Sequence, residues 1–256
     1  MRTGEKFERL VEIMAILRSE NGCPWDKEQT HLSLRPYLIE ETYEVLEMLD
    51  EENIQELPKE LGDLLLQIIF HAQIAFENKN FTINTIIDNI NEKLVSRHPH
   101  VFGHVKINSA QEQSIHWEKV KRKEGKKSVL DGVPQNMPAL GRAQRLQQKA
   151  ATVGFDWPSI DGVWDKLHEE IDELKEALEG GQKDLIEDEF GDLLFAAVNL
   201  GRFINANAED SLRKTIRKFT IRFKQIEKHF AGQGRDISTA SLDEMENVWQ
   251  KVKKKS

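Results

Sequence analysis

The sequence predicts an all-α protein made of two tandem helical units. Three observations carry this prediction. Apolar residues recur at helical spacing along most of the chain. No run of β-branched residues alternates between turns as a strand would. A set of polar and aromatic positions occurs twice in the same order.

Phe7, Leu10, Val11, Met14 and Leu17 make one apolar face near the start, so the first segment reads as an amphipathic helix. The run "KELGDLLLQIIFHAQIAF" (59–76) is so apolar beyond its first turn that it reads as a core helix. Pro58 suits that helix's first turn. Leu212, Ile216, Phe219, Phe223, Ile226 and Phe230 step by four and three, which predicts a long helix with one apolar stripe. Breaks fall at "NGCPWD" (21–26), "HPHVFG" (98–103), "VGFDWP" (153–158) and the Gly180–Gly181 pair. The stretch "EGKKSVLDGVPQNMP" (124–138) is the best linker, which sets the expected units at 1–123 and 137–256 with 124–136 between them.

The chain has 256 residues, 39% of them hydrophobic and 31% charged, a balance that fits a globular helical protein. A single cysteine, Cys23, excludes an intrachain disulfide framework and suits a reducing compartment. No apolar run reaches the ~18 residues of a membrane span. The first segment lacks the apolar core and cleavage site of a signal peptide. The expected location is the cytoplasm. A net charge of −8 argues against general nucleic-acid binding. The basic runs at 119–127 and 251–255 read either as solvated helix ends or as phosphate contacts.

The duplication is clearest in the acids. Glu41, Glu44, Glu60 and Asp63 correspond to Glu170, Glu173, Glu189 and Asp192, each 129 positions later. Lys93 and Arg97 match Lys218 and Arg222, and Trp117 and Lys121 match Trp249 and Lys253. Each half therefore carries E-x-x-E, fifteen residues, then E-x-x-D. Residues three apart share a helix face with Cβ atoms roughly 5–6 Å apart. The intervening residues hold a turn, so two antiparallel helices would aim four carboxylates at one spot. Like charges about 5.5 Å apart repel by roughly 3 kcal/mol at an effective dielectric near 20. A single such pair is usually a solvated face. Two pairs, beside a core helix and duplicated, point to metal ligation. Carboxylates without His or Cys select a hard cation, Mg²⁺ or Mn²⁺. Metal ions with Lys and Arg would in turn compensate a polyphosphate. Lys218 and Arg222 lie one helical turn apart, as do Trp249 and Lys253, so phosphate gripping and base stacking compete with ordinary surface and core roles.

The motifs "NGCPWDKEQT", "EETYEV", "ELGDLLLQ", "SRHPHVFG", "VGFDW", "EEIDEL" and "EFGDLLFA" resemble the MazG family of nucleoside triphosphate pyrophosphohydrolases over nearly the whole chain. The resemblance implies two MazG-like helical domains, four-helix-type bundles built across a homodimer, and Mg²⁺-dependent cleavage between the α- and β-phosphates. Carried onto this chain, it makes Glu170, Glu173, Glu189 and Asp192 the metal ligands, with Glu41, Glu44, Glu60 and Asp63 as a second set. Lys166 and Glu169 would lie at the nucleotide. Lys218, Arg222, Trp249 and Lys253 would grip phosphate or base, and Lys93, Arg97, Trp117 and Lys121 are their first-half counterparts. Glu169, adjoining a ligand without being one, is the candidate general base, with Glu173 as the other catalytic candidate. The family usually concentrates activity in the second half. Where it often has a basic residue before E-x-x-D, this chain has Leu185 and Ile186, with Lys183 as the nearest substitute. The expected role is clearance of ribo- and deoxynucleoside triphosphates. The alternatives are a narrower dUTP- or dCTP-type enzyme and a helical dimer that senses nucleotides and metal without turnover.

Three other features read as structural. His98, His100 and His104 do not have the spacing of a zinc site. Trp25 and Trp157, which follow the turn in each half, read as seals at helix junctions. Cys23 has no acyl-transfer partners and reads as packed.

Overall fold

The computed structural model describes residues 2–103, 109, 112 and 127–254. They contain helices and no strand. The chain forms two compact units, Met1–Ile107 and Asn108–Ser256. In the first lie α1 (Thr3–Leu17), α2 (Pro24–Glu28), α3 (Arg35–Asp50), α4 (Leu57–Glu77), α5 (Ile83–Arg97) and the single turn α6 (Pro99–Phe102). In the second lie α7 (Ala139–Ala151), α8 (Ile160–Gly180), α9 (Lys183–Phe203), α10 (Ala208–Ala231), a 3₁₀ turn (Ile237–Thr239) and α11 (Leu242–Lys253). The expected boundary at residue 123 lies outside the described residues. Within the expected linker, the Val129 carbonyl accepts a hydrogen bond from Lys149 Nζ at 2.8 Å, which fastens it to α7.

Each unit is organised around one helix hairpin, α3–α4 in the first and α8–α9 in the second. In the first unit α1 and α5 pack on α4. Met14 on α1 and Leu34 before α3 meet Ile69, Phe70 and Ile74 of α4, with Phe7, Leu10 and Val11 packed around them. Burying such side chains fully contributes about 1.5–3 kcal/mol each. Arg18, at the end of α1, donates to both carboxylate oxygens of Glu77 at the end of α4 and to the carbonyls of Asp26 and Gln29. Trp25 meets Tyr37 and Phe70 edge-on, so it does seal the junction of α2, α3 and α4. Trp157 lies against the first turn of α8, where a Cβ on Gly162 would strike its ring at 2.6 Å.

In the second unit α7 supports both the hairpin and α10. Gln144 accepts from the Ala208 N–H at 2.8 Å and donates to the Ala206 carbonyl at 3.1 Å, which fixes the entry to α10. Ile226 and Phe230 of α10 pack on Val248 and Val252 of α11. The apolar stripe predicted on α10 is therefore covered over its last turns only. Leu212, Ile216, Phe219 and Phe223 remain exposed within one chain. The expectation of a wholly buried α4 is corrected in the same sense, since Leu61, Ile68 and Phe76 face outward.

The hairpin turns are equivalent to the residue. α8 is capped by Gly181 at φ 69°, and 129 positions earlier Glu52 holds φ 54° after α3. A left-handed residue ends the first helix and turns the chain toward the second in both units. Glycine adopts this backbone freely, whereas a residue with a Cβ pays about 1–2 kcal/mol. Gly181→Ala is accordingly expected to lower the stability of the second unit by about 1 kcal/mol. Glu52→Gly is expected to leave the first unit unchanged or more stable. Urea unfolding of the two variants measures both, and no loss in Gly181→Ala would mean the turn does not constrain the hairpin.

Candidate active site

Both acid sets fall on the hairpins. In the first unit, α3 carries Glu41 and Glu44 while α4 carries Glu60 and Asp63. In the second, α8 carries Glu170 and Glu173 while α9 carries Glu189 and Asp192. Carboxylate oxygens of Glu41, Glu60 and Asp63 lie within 4.8 Å of one another, and so do those of Glu170, Glu173 and Glu189. Each hairpin thus gathers three of the four acids named from the sequence. Glu44 is exposed and stands against Glu41 without joining the triple. Asp192 is exposed, outside its triple.

One acid per cluster is drawn into the protein. Glu170 is 4% exposed, and its Oε2 is enclosed without a hydrogen-bond donor. Its Oε1 lies 2.6 Å from Lys166 Nζ, which also donates to Glu169 Oε1 at 2.7 Å. Lys166 and Glu169 therefore sit at the rim of the acid cluster, and the lysine is engaged with two carboxylates. Those carboxylates raise the Lys166 pKa, the Glu169 hydrogen bond most of all. In the first unit Glu60 is the buried acid, touched at 3.0 Å by a largely exposed Lys59.

Crowding shows in the acids themselves. Desolvation, then Glu44 and Asp63, push the Glu41 pKa above the ordinary carboxylate value, while the Gln67 amide works the other way. Glu173 is also raised, by desolvation and by the charges of Glu170, Glu189 and Glu169, with Lys166 opposing. Three carboxylates and an enclosed oxygen without a donor form a set that suits a hard, oxygen-seeking cation. Buried Gln67, one turn beyond Asp63, lies against Glu41, and the sequence analysis does not single it out. It closes the "ELGDLLLQ" motif, but a glutamine on a helix carries no ligand signature by itself.

The cationic and aromatic residues lie on α10 and α11. Trp249 packs on Phe219 with ring centroids 5.5 Å apart, and the Arg222 guanidinium stands 5.8 Å over the Trp249 ring. Arg222 and Trp249 are thus brought together, with Lys218 and Lys253 exposed on the same two helices. α10 packs chiefly on α11 and α7 and touches α9 only lightly. Within one chain the acid triple and the basic–aromatic set sit on separate helix pairs. Lys183 is 86% exposed and pairs with Glu187 at 3.6 Å. In the first unit Lys93 is exposed and Arg97 half-buried at the end of α5. Trp117 and Lys121 lie outside the described residues. His98 and His100 are near neighbours with ring centroids 5.6 Å apart, and His104 lies outside the described residues.

Among the described residues, an all-α fold thus presents clustered carboxylates on a helix hairpin twice. Residues 29–102 and 160–227 match the MazG nucleotide pyrophosphohydrolase domain, and the two segments contain both complete acid sets. The chain belongs to the MazG family. It is 47% identical to the nucleoside triphosphate pyrophosphohydrolase/pyrophosphatase MazG of Thermotoga maritima, over 98% of this chain and 96% of that protein. It is 45% identical to a nucleoside triphosphate pyrophosphohydrolase of Escherichia coli K12, over 97% of each. An uncharacterized protein of Bacillus subtilis is 44% identical over 97% of this chain and 52% of its own length.

The crowded carboxyls carry a pH signature. A carboxyl whose folded pKa is raised costs no stability below its unfolded value of about 4.3. It weakens the fold as pH rises through the raised value. In divalent-free protein, ¹³C NMR titration is expected to place Glu41 and Glu173 above the ordinary carboxylate range. Lys166→Met should raise Glu173 further, because it removes the opposing charge. An unmoved Glu173 would mean that Lys166 does not act on the cluster.

Proposed function

We propose that this chain is a Mg²⁺-dependent nucleoside triphosphate pyrophosphohydrolase, active on both ribo- and deoxynucleotides, with its working site in the second unit. The reaction is hydrolysis between the α- and β-phosphates, in which a triphosphate and water give a monophosphate and pyrophosphate. Family membership and the pyrophosphohydrolase names of the Thermotoga and Escherichia relatives support the reaction. The observation that carries the site is the buried Glu170 oxygen without a donor, inside a triple of carboxylates.

Glu170, Glu173 and Glu189 would hold Mg²⁺ or Mn²⁺, with exposed Asp192 one helical turn from Glu189 as a further ligand. A cation bound there supplies Lewis acidity at the phosphate oxygens. Lys166 holds Glu169 and Glu170 in place through its two ion pairs. Glu169 is exposed at the rim, where its carboxylate can accept a proton from water. Arg222 and Lys218 bring positive charge for the phosphates, and Trp249 offers an indole ring for base stacking. Lys253 extends the same cationic surface.

The separation of the acid triple from the basic–aromatic set supports a homodimer. Phe190, Leu194 and Phe195 of α9 and Ile216 and Phe219 of α10 are large apolar side chains exposed on one chain. Exposed apolar surface of this kind marks an interaction face. A second copy placed on it would complete a four-helix-type bundle and bring helices of both protomers to each site. Among the described residues no helix is long and apolar enough to cross a membrane. The single cysteine suits a reducing compartment and supports a place in the cytoplasm.

³¹P NMR of the protein with Mg²⁺ and a panel of triphosphates is expected to show monophosphate and pyrophosphate as the products. Glu173→Gln should lower kcat at least about a hundredfold, while helix content by circular dichroism is kept. Orthophosphate with diphosphate would contradict the cleavage position. Undiminished turnover in Glu173→Gln would contradict the site.

A further inference from the structure

The two acid clusters are copies in sequence but differ in what surrounds them. Position 67 holds glutamine in the first unit, and its counterpart 129 positions later is Ala196. Gln67 follows Asp63 by four residues and Glu60 by seven, so the three share one face of α4. It is 6% exposed, and its amide lies against the Glu41 carboxylate. Its Oε1 is enclosed without any donor.

The neighbouring groups do not explain that oxygen. Ionised carboxylates accept hydrogen bonds and donate none. An enclosed acceptor without a partner weakens a fold. Lys59, the nearest cation on α4, is engaged with Glu60 and stands largely in solvent. A divalent cation of the hard class takes carboxylate and carboxamide oxygens alike. It would satisfy the three acids and the amide oxygen at once.

We infer that Gln67 supplies a neutral oxygen ligand to a divalent cation held by Glu41, Glu60 and Asp63, making the first unit's site chemically distinct from the second's. The inference rests on the reading that these hairpins hold cations, and it assigns a ligand beyond the acid motif. In the second unit Ala196 is buried and offers no oxygen, and Lys166 brings its own positive charge to the buried acid. The first-unit counterpart of Lys166 is Tyr37, which carries no charge to compete with a cation. The first unit thus gains a ligand and lacks that lysine. Its cation is expected to bind without help from a nucleotide.

Mn²⁺ serves as the probe, counted by electron paramagnetic resonance on the full-length chain. A Glu173→Gln background weakens the second site, so that the remaining Mn²⁺ reports the first. In that background Gln67→Met, close to glutamine in shape but without the oxygen, is expected to weaken Mn²⁺ binding about tenfold or more. The melting temperature of the divalent-free protein should hold or rise, because the enclosed oxygen is gone. Gln67→Ala should show the same loss of Mn²⁺, and Gln67→Glu should keep the ion. Unchanged Mn²⁺ affinity in Gln67→Met would overturn the inference. So would the absence of bound Mn²⁺ in the Glu173→Gln background. Either failure is separable from failure of the proposed reaction, which ³¹P NMR reads on the unmodified chain.

Discussion

Mutual repulsion among three carboxylates held within 4.8 Å is the constraint around which each unit is built. Two antiparallel helices joined by a left-handed turn bring the acids together, and core packing keeps them there. In the first unit Ile69, Phe70 and Ile74 anchor α4 on α1, so Glu60 and Asp63 cannot swing away without moving the core. In the second, α7 braces α9 from outside, with Gln147 donating to the Phe195 carbonyl at 2.9 Å. The hairpin holds charges in an arrangement that is unfavourable alone and favourable with a cation, as a preorganised ligand site requires.

Duplication preserved this geometry while the surroundings diverged. The turn residue is glycine in one unit and glutamate in the other, with the same handedness. The buried acid is Glu60 on the second helix of one hairpin and Glu170 on the first helix of the other. Each meets a lysine, but from a different place: Lys59 adjoins Glu60 in sequence, whereas Lys166 reaches Glu170 from one turn earlier. Gln67 and Ala196 mark the same position with opposite chemistry. Such differences give two sites of common origin different chemical surroundings.

Much of this was legible in the sequence because helices write their faces at fixed spacing. The E-x-x-E and E-x-x-D pairs located both hairpins and their acids. Pro58 and the Gly180–Gly181 pair located the turns. The side-chain partners were not legible. Lys166 reaches two carboxylates, a pairing that spacing alone leaves open because lysine's long stem can meet several partners. Gln67 carries no signal in the sequence, because burial, and not residue type, makes an amide oxygen significant. The apolar run of α4 reads as core, yet Leu61, Ile68 and Phe76 are exposed, and of the α10 stripe only Ile226 and Phe230 are buried within one chain. Periodicity reports that a face is apolar without telling whether another part of the same chain covers it.

The central claim is that the hairpin acids are cation ligands. It is tested most directly by crystals of the full-length protein soaked in Mn²⁺ and measured at an energy where manganese scatters anomalously. An anomalous peak is expected within about 2.0–2.6 Å of oxygens from Glu170, Glu173 and Glu189, and a second peak at Glu41, Glu60 and Asp63. Crystals saturated with Mn²⁺ that show no peak at either hairpin, with Lys166 still the partner of Glu170, would contradict it.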